Sequence, residues 1–326
     1  MEEITLDKLF KTVVAHNASD LHLVVGTEPQ IRIDGALKSL NMPPLTPQVV
    51  QDLCYSVITE AEKKVLEENK EVDFAINVQG TGRFRGNVYY ERSHLSGAFR
   101  IIPTKVPTLD ELHQPDIIKE LTQLEKGLIL VTGPTGSGKS TTMASFMNEI
   151  NENQSKHILT IEDPVEFVHD HKKSIISQRN VGSDTQSFAR ALKYALRQDP
   201  DVIYIGEMRD IETIRAAITA AETGHLVCGT LHTNSASQTV NRIINVFPAE
   251  EQALVRTQLS LTLQGVISQF LVPLTTGGRQ CVQEILVNTP AIANLIRDDK
   301  IHQIYGQMQL NQAYTKMQTQ TQELVR

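Results

Sequence analysis

Tryptophan is absent from the 326-residue chain, and aromatic residues make up only 5% of it. A surface that stacks bases or sugar rings needs aromatic faces, so this is not the composition of a base-stacking platform or a sugar cleft. Cysteine is nearly as scarce. Cys54, Cys228 and Cys281 stand far apart with no CxxC pair, which excludes a readable zinc module and fits small buried thiols in a reducing compartment. Basic charge is not in excess either: 31 Lys and Arg face 38 Asp and Glu, for a formal net charge of -7. Such a chain lacks the broad positive field of passive nucleic-acid binding and leaves room only for a local basic channel. No run approaches the about 18 apolar residues of a membrane span. The start of the chain carries Glu2, Glu3 and Asp7 instead of a basic region ahead of an apolar one, so it does not read as a secretory signal. The expected address is the cytoplasm.

What is present is the composition of a folded protein, 40% hydrophobic and 21% charged, at a length that suits two or three domains. Leu6, Leu9, Phe10 and Val13 repeat at helical spacing. Leu21, Leu23 and Val25 alternate as strand residues, and Ile31 and Ile33 do so ahead of the turn signal Asp34-Gly35. Thr46-Pro47 marks a helix start, and Thr59 with Glu62 forms a capping box. Val72, Phe74, Ile76 and Val78 alternate, and strand character returns over 83–90 and 97–102. Residues 1–104 thus read as a small α+β domain with mostly antiparallel strands. Pro103, Pro107 and Pro115 interrupt the next stretch, taken as a linker over 105–118.

From 119 the texture changes. Short apolar runs at 128–132 (LILVT), 157–161 (HILTI), 202–205 (VIYI) and 226–231 (LVCGTL) alternate with helical patterns, one carrying Met143, Phe146, Met147 and Ile150 and another Ile211, Ile214, Ile218 and Ala221. This spacing predicts an α/β fold with a parallel sheet covered on both faces. Residues 249–326 read as mainly helical. Seven glutamines between Gln303 and Gln322 read as a solvated helix face.

The strongest local signal is Gly133-Pro134-Thr135-Gly136-Ser137-Gly138-Lys139-Ser140-Thr141, a full GxxxxGK[ST] phosphate-binding loop between a predicted strand and a predicted helix. Its glycines let backbone N–H groups turn toward phosphate oxygens, and the following helix points its positive end at the same anion. Lys139 is expected to reach the β- and γ-phosphates of a nucleotide and Ser140 to ligate Mg²⁺. A second signal is topological. Each of the four predicted strands is followed at its carboxyl end by a group suited to phosphate or metal chemistry: Lys139 with Ser140, Glu162 with Asp163, Glu207, and His232. Ligands of open parallel sheets bind outside those ends, so the four are expected to converge on one crevice. An ATP hydrolase must hold Mg²⁺ and take a proton from water. Glu162 is assigned as the water-activating base and Glu207 as the carboxylate on the metal side; sequence alone permits the reverse. His232 is expected to contact the γ-phosphate, with a structural strand cap as the competing reading.

At this point the motifs carry a resemblance. ASDLHL (18–23), GPTGSGKST (133–141), TIEDPVEF (160–167), DPDVIYIGEMRD (199–210), AAETGHLVCGTLHTNSA (220–236) and VFPAEEQALVR (246–256) are similar to the bacterial secretion ATPases, and most closely to the retraction motors of type IV pili, the PilT family. The resemblance runs from about residue 4 to the end. It implies a hexameric motor with a PAS-like N-terminal domain and a RecA-like P-loop core, ATP lying between neighbouring subunits. It also implies that TIEDPVEF is an aspartate box with Glu162 as catalytic glutamate, that GEMRD holds the Walker B Glu207, and that TLHTN is a histidine box with His232. Arginines of the N-terminal domain approach the phosphates in such ATPases. The matching segments GRFRGN and GAFRIIP offer Arg83, Arg85 and Arg100, with a solvated strand face as the plainer reading.

The sequence departs from the family at AIANLIRD, where Ala293 replaces the arginine of the usual AIRNLIR, and at its early end after MQTQTQELVR. The first puts coupling to the pilus in question; the second fits a truncated or divergent member. The expected role is Mg²⁺-dependent ATP hydrolysis coupled to pilus retraction through an inner-membrane platform protein, from a position at the inner face of the cytoplasmic membrane. A related secretion or pilus-accessory ATPase is the alternative, followed by a RecA-like nucleic-acid motor, against which the acidic balance counts.

Overall fold

A computed structural model describes residues 4–33, 35–102, 105–275, 278–310 and 312–325. Asp34 of the expected turn signal, Pro103 and Arg326 lie outside the described residues. The chain divides into two compact units, Met1–Lys105 and Val106–Arg326.

The first unit is a six-stranded sheet. Its strands are β1 (Asp20–Leu23), β2 (Gln30–Ile33), β3 (Ala36–Ser39), β4 (Glu71–Val78), β5 (Gly82–Glu91) and β6 (His94–Ile102), in the order β3-β2-β1-β6-β5-β4. Neighbours run antiparallel throughout. Alternation along each strand sorts the two faces. Val72, Phe74, Phe84, Val88 and Phe99 turn inward, and the helix Leu6–Ala15 lays Leu6, Leu9, Phe10 and Val13 over them. The rings of Phe10 and Phe84 stack with centroids 4.1 Å apart. Both expected helix starts are present: Thr46 caps Val49, and Thr59 and Glu62 form the reciprocal capping box. The opposite face is polar. Register places Arg32, Asp20, Arg100 and Arg85 side by side across β2, β1, β6 and β5.

The second unit is a seven-stranded sheet of β7 (Gly127–Thr132), β8 (His157–Glu162), β9 (Ile175–Asn180), β10 (Val202–Ile205), β11 (Leu226–Leu231), β12 (Leu263–Pro273) and β13 (Arg279–Val287), ordered β13-β12-β7-β11-β10-β8-β9. All pairs are parallel except β12 with β13. Every residue of β7, β10 and β11 is buried, as a strand covered on both faces by helices must be. The helix Lys139–Asn153 buries Met143, Phe146, Met147 and Ile150, and Ile211–Glu222 buries Ile214, Ile218 and Ala221. Cys54 and Cys228 are buried and Cys281 half-buried, and burial pushes the thiols of Cys54 and Cys281 up to about 12 and about 11.

Two expectations for the last third are corrected. The helices expected across residues 249–326 are interrupted: between Ala249–Thr262 and Pro290–Arg297, β12 and β13 form a long antiparallel hairpin that extends the sheet beyond β7. Both carry polar side chains inside, with Ser268, Gln269, Gln283 and Glu284 all buried, and this hides the apolar alternation that marks a strand. Nor do the late glutamines make one solvated helix face. Gln303 and Gln309 are exposed, but Gln318 is buried and covers the free edge of β13, exchanging backbone hydrogen bonds with Ile285 at 2.9 and 3.1 Å. An open strand edge leaves a row of unpaired N–H and C=O groups, and this segment satisfies part of it.

Among the described residues, no helix is long and apolar enough to cross a membrane.

Candidate nucleotide site at the carboxyl ends of the strands

The phosphate loop follows β7 and ends in the helix Lys139–Asn153, whose N-cap is Gly138 at φ 86°, a conformation that favours glycine. Gly133 is required for a different reason: a Cβ there would stand 2.1 Å from the backbone oxygen of Gln269. Lys139 is buried at 9% exposure, and its ammonium donates to the carbonyl oxygens of Gly133 at 2.9 Å and Pro134 at 3.0 Å. Burial lowers its pKa, against the attraction of Glu207 and Glu166. The Oγ of Ser137 is buried without a hydrogen-bond partner among the described residues. A buried cation held only by carbonyls, beside an orphaned hydroxyl, is a site whose polar groups are arranged for an anion. Next to the loop lies a cavity of about 410 Å³, lined in part by Gly138, Thr141, Thr142, Leu112, His113 and Leu271.

The sheet order makes β7, β11, β10 and β8 consecutive neighbours. Their carboxyl ends therefore carry Lys139 and Ser140, His232, Glu207 and Glu162 along one edge, the convergence expected of an open parallel sheet. His232 Nε2 lies 2.8 Å from Glu207 Oε1. Glu207 Oε1 also makes a very short contact with Arg209 Nε. The loop bearing Glu207 is fixed from behind: Gly206 N donates to Ile161 O at 2.7 Å, and Thr230 Oγ1 donates to Gly206 O at 2.5 Å.

Glu162 differs sharply from Glu207. It is the last residue of β8 and is buried at 7% exposure, whereas the side chain of Glu207 is 20% exposed. Burial pushes the carboxyl of Glu162 up to about 7, against hydrogen bonds from Thr160 Oγ1 at 2.7 Å, Glu166 N at 3.4 Å and Gln178 Nε2 at 3.4 Å. A carboxyl titrating near neutral pH is matched to accepting a proton from water.

Sequence reasoning did not single out Thr160, Gln178 or Gln269. Thr160 was within reach of it, because residues two apart on a strand share a face. Gln178 sits on β9, a short strand with little apolar content, and Gln269 on the hairpin, where the sequence pattern predicts helix.

Arg83, Arg85 and Arg100 belong to the first unit. Arg83 and Arg85 alternate with buried Phe84 on β5 and share its polar face, with Arg85 directly opposite Arg100 of β6. Arg100 Nε donates to Asp20 Oδ1 at 2.8 Å with its side chain 72% exposed, and Arg85 lies 3.8 Å from Asp73. Hydrogen bonds to Ser19 and Arg100 hold the Asp20 carboxyl below its ordinary value, although burial alone would raise it.

The chain is similar in sequence and in fold to known proteins. The sequence profile of the Type II/IV secretion system protein family matches residues 1–326. The chain is 52% identical over 292 residues to a type IV pilus retraction ATPase, PilT, of Pseudomonas aeruginosa, covering 90% of this chain and 85% of that protein. It is 50% identical over 297 residues to a twitching motility protein of Neisseria gonorrhoeae, covering 91% and 79%. The crystal structure of the pilus retraction motor PilT with bound ADP superposes with a TM-score of 0.94 at 51% identity, covering 99% of this chain and 92% of that one. The chain belongs to the type II/IV secretion system protein family.

Proposed function

We propose that the protein is an ATPase that powers type IV pilus retraction and with it twitching motility. The observation that carries this reading is the alignment of Lys139, His232, Glu207 and Glu162 at the ends of four adjacent parallel strands, in a chain 52% identical to a pilus retraction ATPase. The phosphate loop from Gly133 to Thr141 takes the β- and γ-phosphates of ATP. Lys139 exchanges its two carbonyl partners for phosphate oxygens, and the Ser137 hydroxyl gains a partner it otherwise lacks. Glu162 accepts the proton of the attacking water. Its burial keeps the carboxyl near neutral pH in titration, and Thr160 and Gln178 fix its direction. His232 reports the state of the γ-phosphate to Glu207 through their shared contact.

Mg²⁺ fits this donor set. Ser140 offers a half-buried hydroxyl on the first turn after the loop, and Glu207 a carboxylate on the same edge of the sheet. Among the described residues no cluster of three or more His, Cys, Asp or Glu forms an all-protein cage, as suits an ion that takes much of its coordination from phosphates and water. When bound, it neutralises charge on the β- and γ-phosphates.

The arginines suit a site completed by a second copy of the chain. Arg85 and Arg100 stand directly opposite each other on the sheet, each with one carboxylate nearby and with side chains 47% and 72% exposed, so both guanidiniums are open to an incoming phosphate. In this reading six copies form a ring, and Arg83, Arg85 and Arg100 of one subunit act on ATP held by its neighbour. The ring works from the cytoplasm against a platform protein of the inner membrane.

Two measurements test the proposal: mass in solution with and without ATP, and rescue of twitching in a piliated strain lacking its own retraction motor. A ring in the presence of ATP and restored twitching are expected. A fully active monomer would contradict the shared site, and an ATPase that restores no movement would contradict the retraction role.

A further inference from the structure

Behind the phosphate loop runs a chain of buried carboxamides that the hydrolytic chemistry does not use. Gln269 on β12 and Gln283 on β13 are register partners, at 1% and 2% exposure. Gln269 Nε2 donates to the backbone oxygen of Ser137 at 2.8 Å. Gln283 Nε2 donates to Gln114 Oε1 at 2.7 Å and more weakly to Gln269 Oε1 at 3.4 Å. On the far side of β13, Gln318 Nε2 donates to Gln283 O at 3.1 Å. A second branch leaves the same segment. Glu284, also buried, accepts from Ala236 N at 2.8 Å and from the backbone of Gln320, while Gln320 Nε2 donates to Asn234 O at 3.0 Å. Asn234 lies in the connection that follows His232, and Ala236 opens the helix Ala236–Asn245 after it.

Resting on the ATPase reading above, we propose that the segment Met317–Gln322 is a positioning element for the nucleotide site. It holds β13 so that Gln283 and Gln269 fix the phosphate loop, and so that Glu284 fixes the chain behind His232. The physics favours geometry over bulk stability as the purpose. A dry interior filled with carboxamides gains little over apolar side chains of the same volume, but a fully satisfied polar network admits one arrangement. The contact at Ser137 is also well placed. A trans peptide is planar with its C=O and N–H opposed, so pinning the Ser137 oxygen toward Gln269 aims the Gly138 N–H away from it. Gly133 rests on the backbone of the same Gln269, so one residue supports both ends of the loop. Neither Gln269 nor Gln318 touches phosphate in this account; both act through the loop.

The test is the affinity of a fluorescent N-methylanthraniloyl-ADP, with magnesium, for the full chain and for Gln269→Met, Gln318→Leu and the double variant, each with its melting temperature. Each single change is expected to weaken binding roughly five- to tenfold, and the double change no more than the worse single one, because both break the same chain of contacts. Effects that multiply would overturn the proposal, as would a lowered melting temperature with unchanged affinity. Should Gln269→Met not fold, Gln318→Leu decides alone: weaker binding at the wild-type melting temperature supports the proposal, and unchanged binding overturns it. Wild type that binds no nucleotide analogue is a separate result, and it overturns the ATPase reading together with the inference built on it.

Discussion

His232 and Glu207 end neighbouring strands of the sheet and meet through a 2.8 Å contact between Nε2 and Oε1. The pair ties the segment after β11 to the segment after β10, so a change at one is felt at the other. Replacing His232 with Ala leaves Glu207 its contact with Arg209, and the loop stays anchored through Gly206. The expected result is a fall of kcat by tenfold or more, by roughly the contribution of one positioned polar group, with ADP affinity within about twofold of wild type. Single-turnover phosphate release beside ADP titration separates the two. A loss of ADP affinity equal to the loss of rate would place His232 in ground-state binding instead.

Glu162 makes a prediction in pH. Its carboxyl titrates at about 7 in the folded protein, against 4.5 for the ordinary group. As base it must be ionised, so kcat is expected to rise with pH through about 7 and Glu162→Gln to abolish turnover while retaining ATP. Stability moves the other way. The folded state holds this proton more tightly than the unfolded chain, so the contribution is fully present below pH 4.5 and is lost as pH rises through 7, by at most about 3 kcal/mol. Melting temperatures of wild type and Glu162→Gln, compared from pH 4.5 to 8, check the sign: the advantage of the Gln variant should grow with pH.

Lys139 and Gly133 separate binding from folding. Lys139→Ala removes a partly desolvated cation that the proposed function places on phosphate. It is expected to keep or raise the melting temperature while weakening nucleotide binding on the order of 100-fold. Gly133→Ala forces a Cβ against the backbone oxygen of Gln269. It should lower stability by about 1–3 kcal/mol and weaken binding as well. Denaturant midpoints beside nucleotide titration distinguish the two variants.

Much of the site is legible in the sequence because it rests on short-range rules. The spacing from Gly133 to Ser140 and the position of Glu162, Glu207 and His232 just past apolar runs are local facts, and strand adjacency then brings them together. The capping residues Thr46, Thr59 and Glu62 are local too. What escaped was non-local. β12 and β13 carry buried Gln269, Gln283 and Glu284, whose side-chain partners lie up to 169 residues away, as in Gln283 with Gln114, so no window of sequence reveals why these polar residues belong inside. The same holds for Gln318, which is buried because it completes an edge formed by β13.

The arginine row makes a prediction between subunits. Arg100→Ala, and Arg83→Ala with Arg85→Ala, should leave ADP affinity unchanged and lower the ATPase rate steeply, toward the roughly 10³-fold that arginines acting in trans contribute in other NTPases. Mixing Arg100→Ala with Lys139→Ala subunits should recover part of the rate, since some interfaces then pair an intact phosphate loop with an intact arginine. No recovery on mixing, or full activity in the arginine variants, would reduce the row to a solvated strand face.

The central claim is that this phosphate loop hydrolyses ATP with Glu162 as base. It is tested most directly by phosphate release from ATP by the full chain at pH 8, with wild type measured beside Lys139→Ala and Glu162→Gln and with ATP binding followed in each. Steady release by wild type is predicted, with binding weakened on the order of 100-fold and release lost in Lys139→Ala, and binding without release by Glu162→Gln. Equal release by wild type and Glu162→Gln would contradict the account.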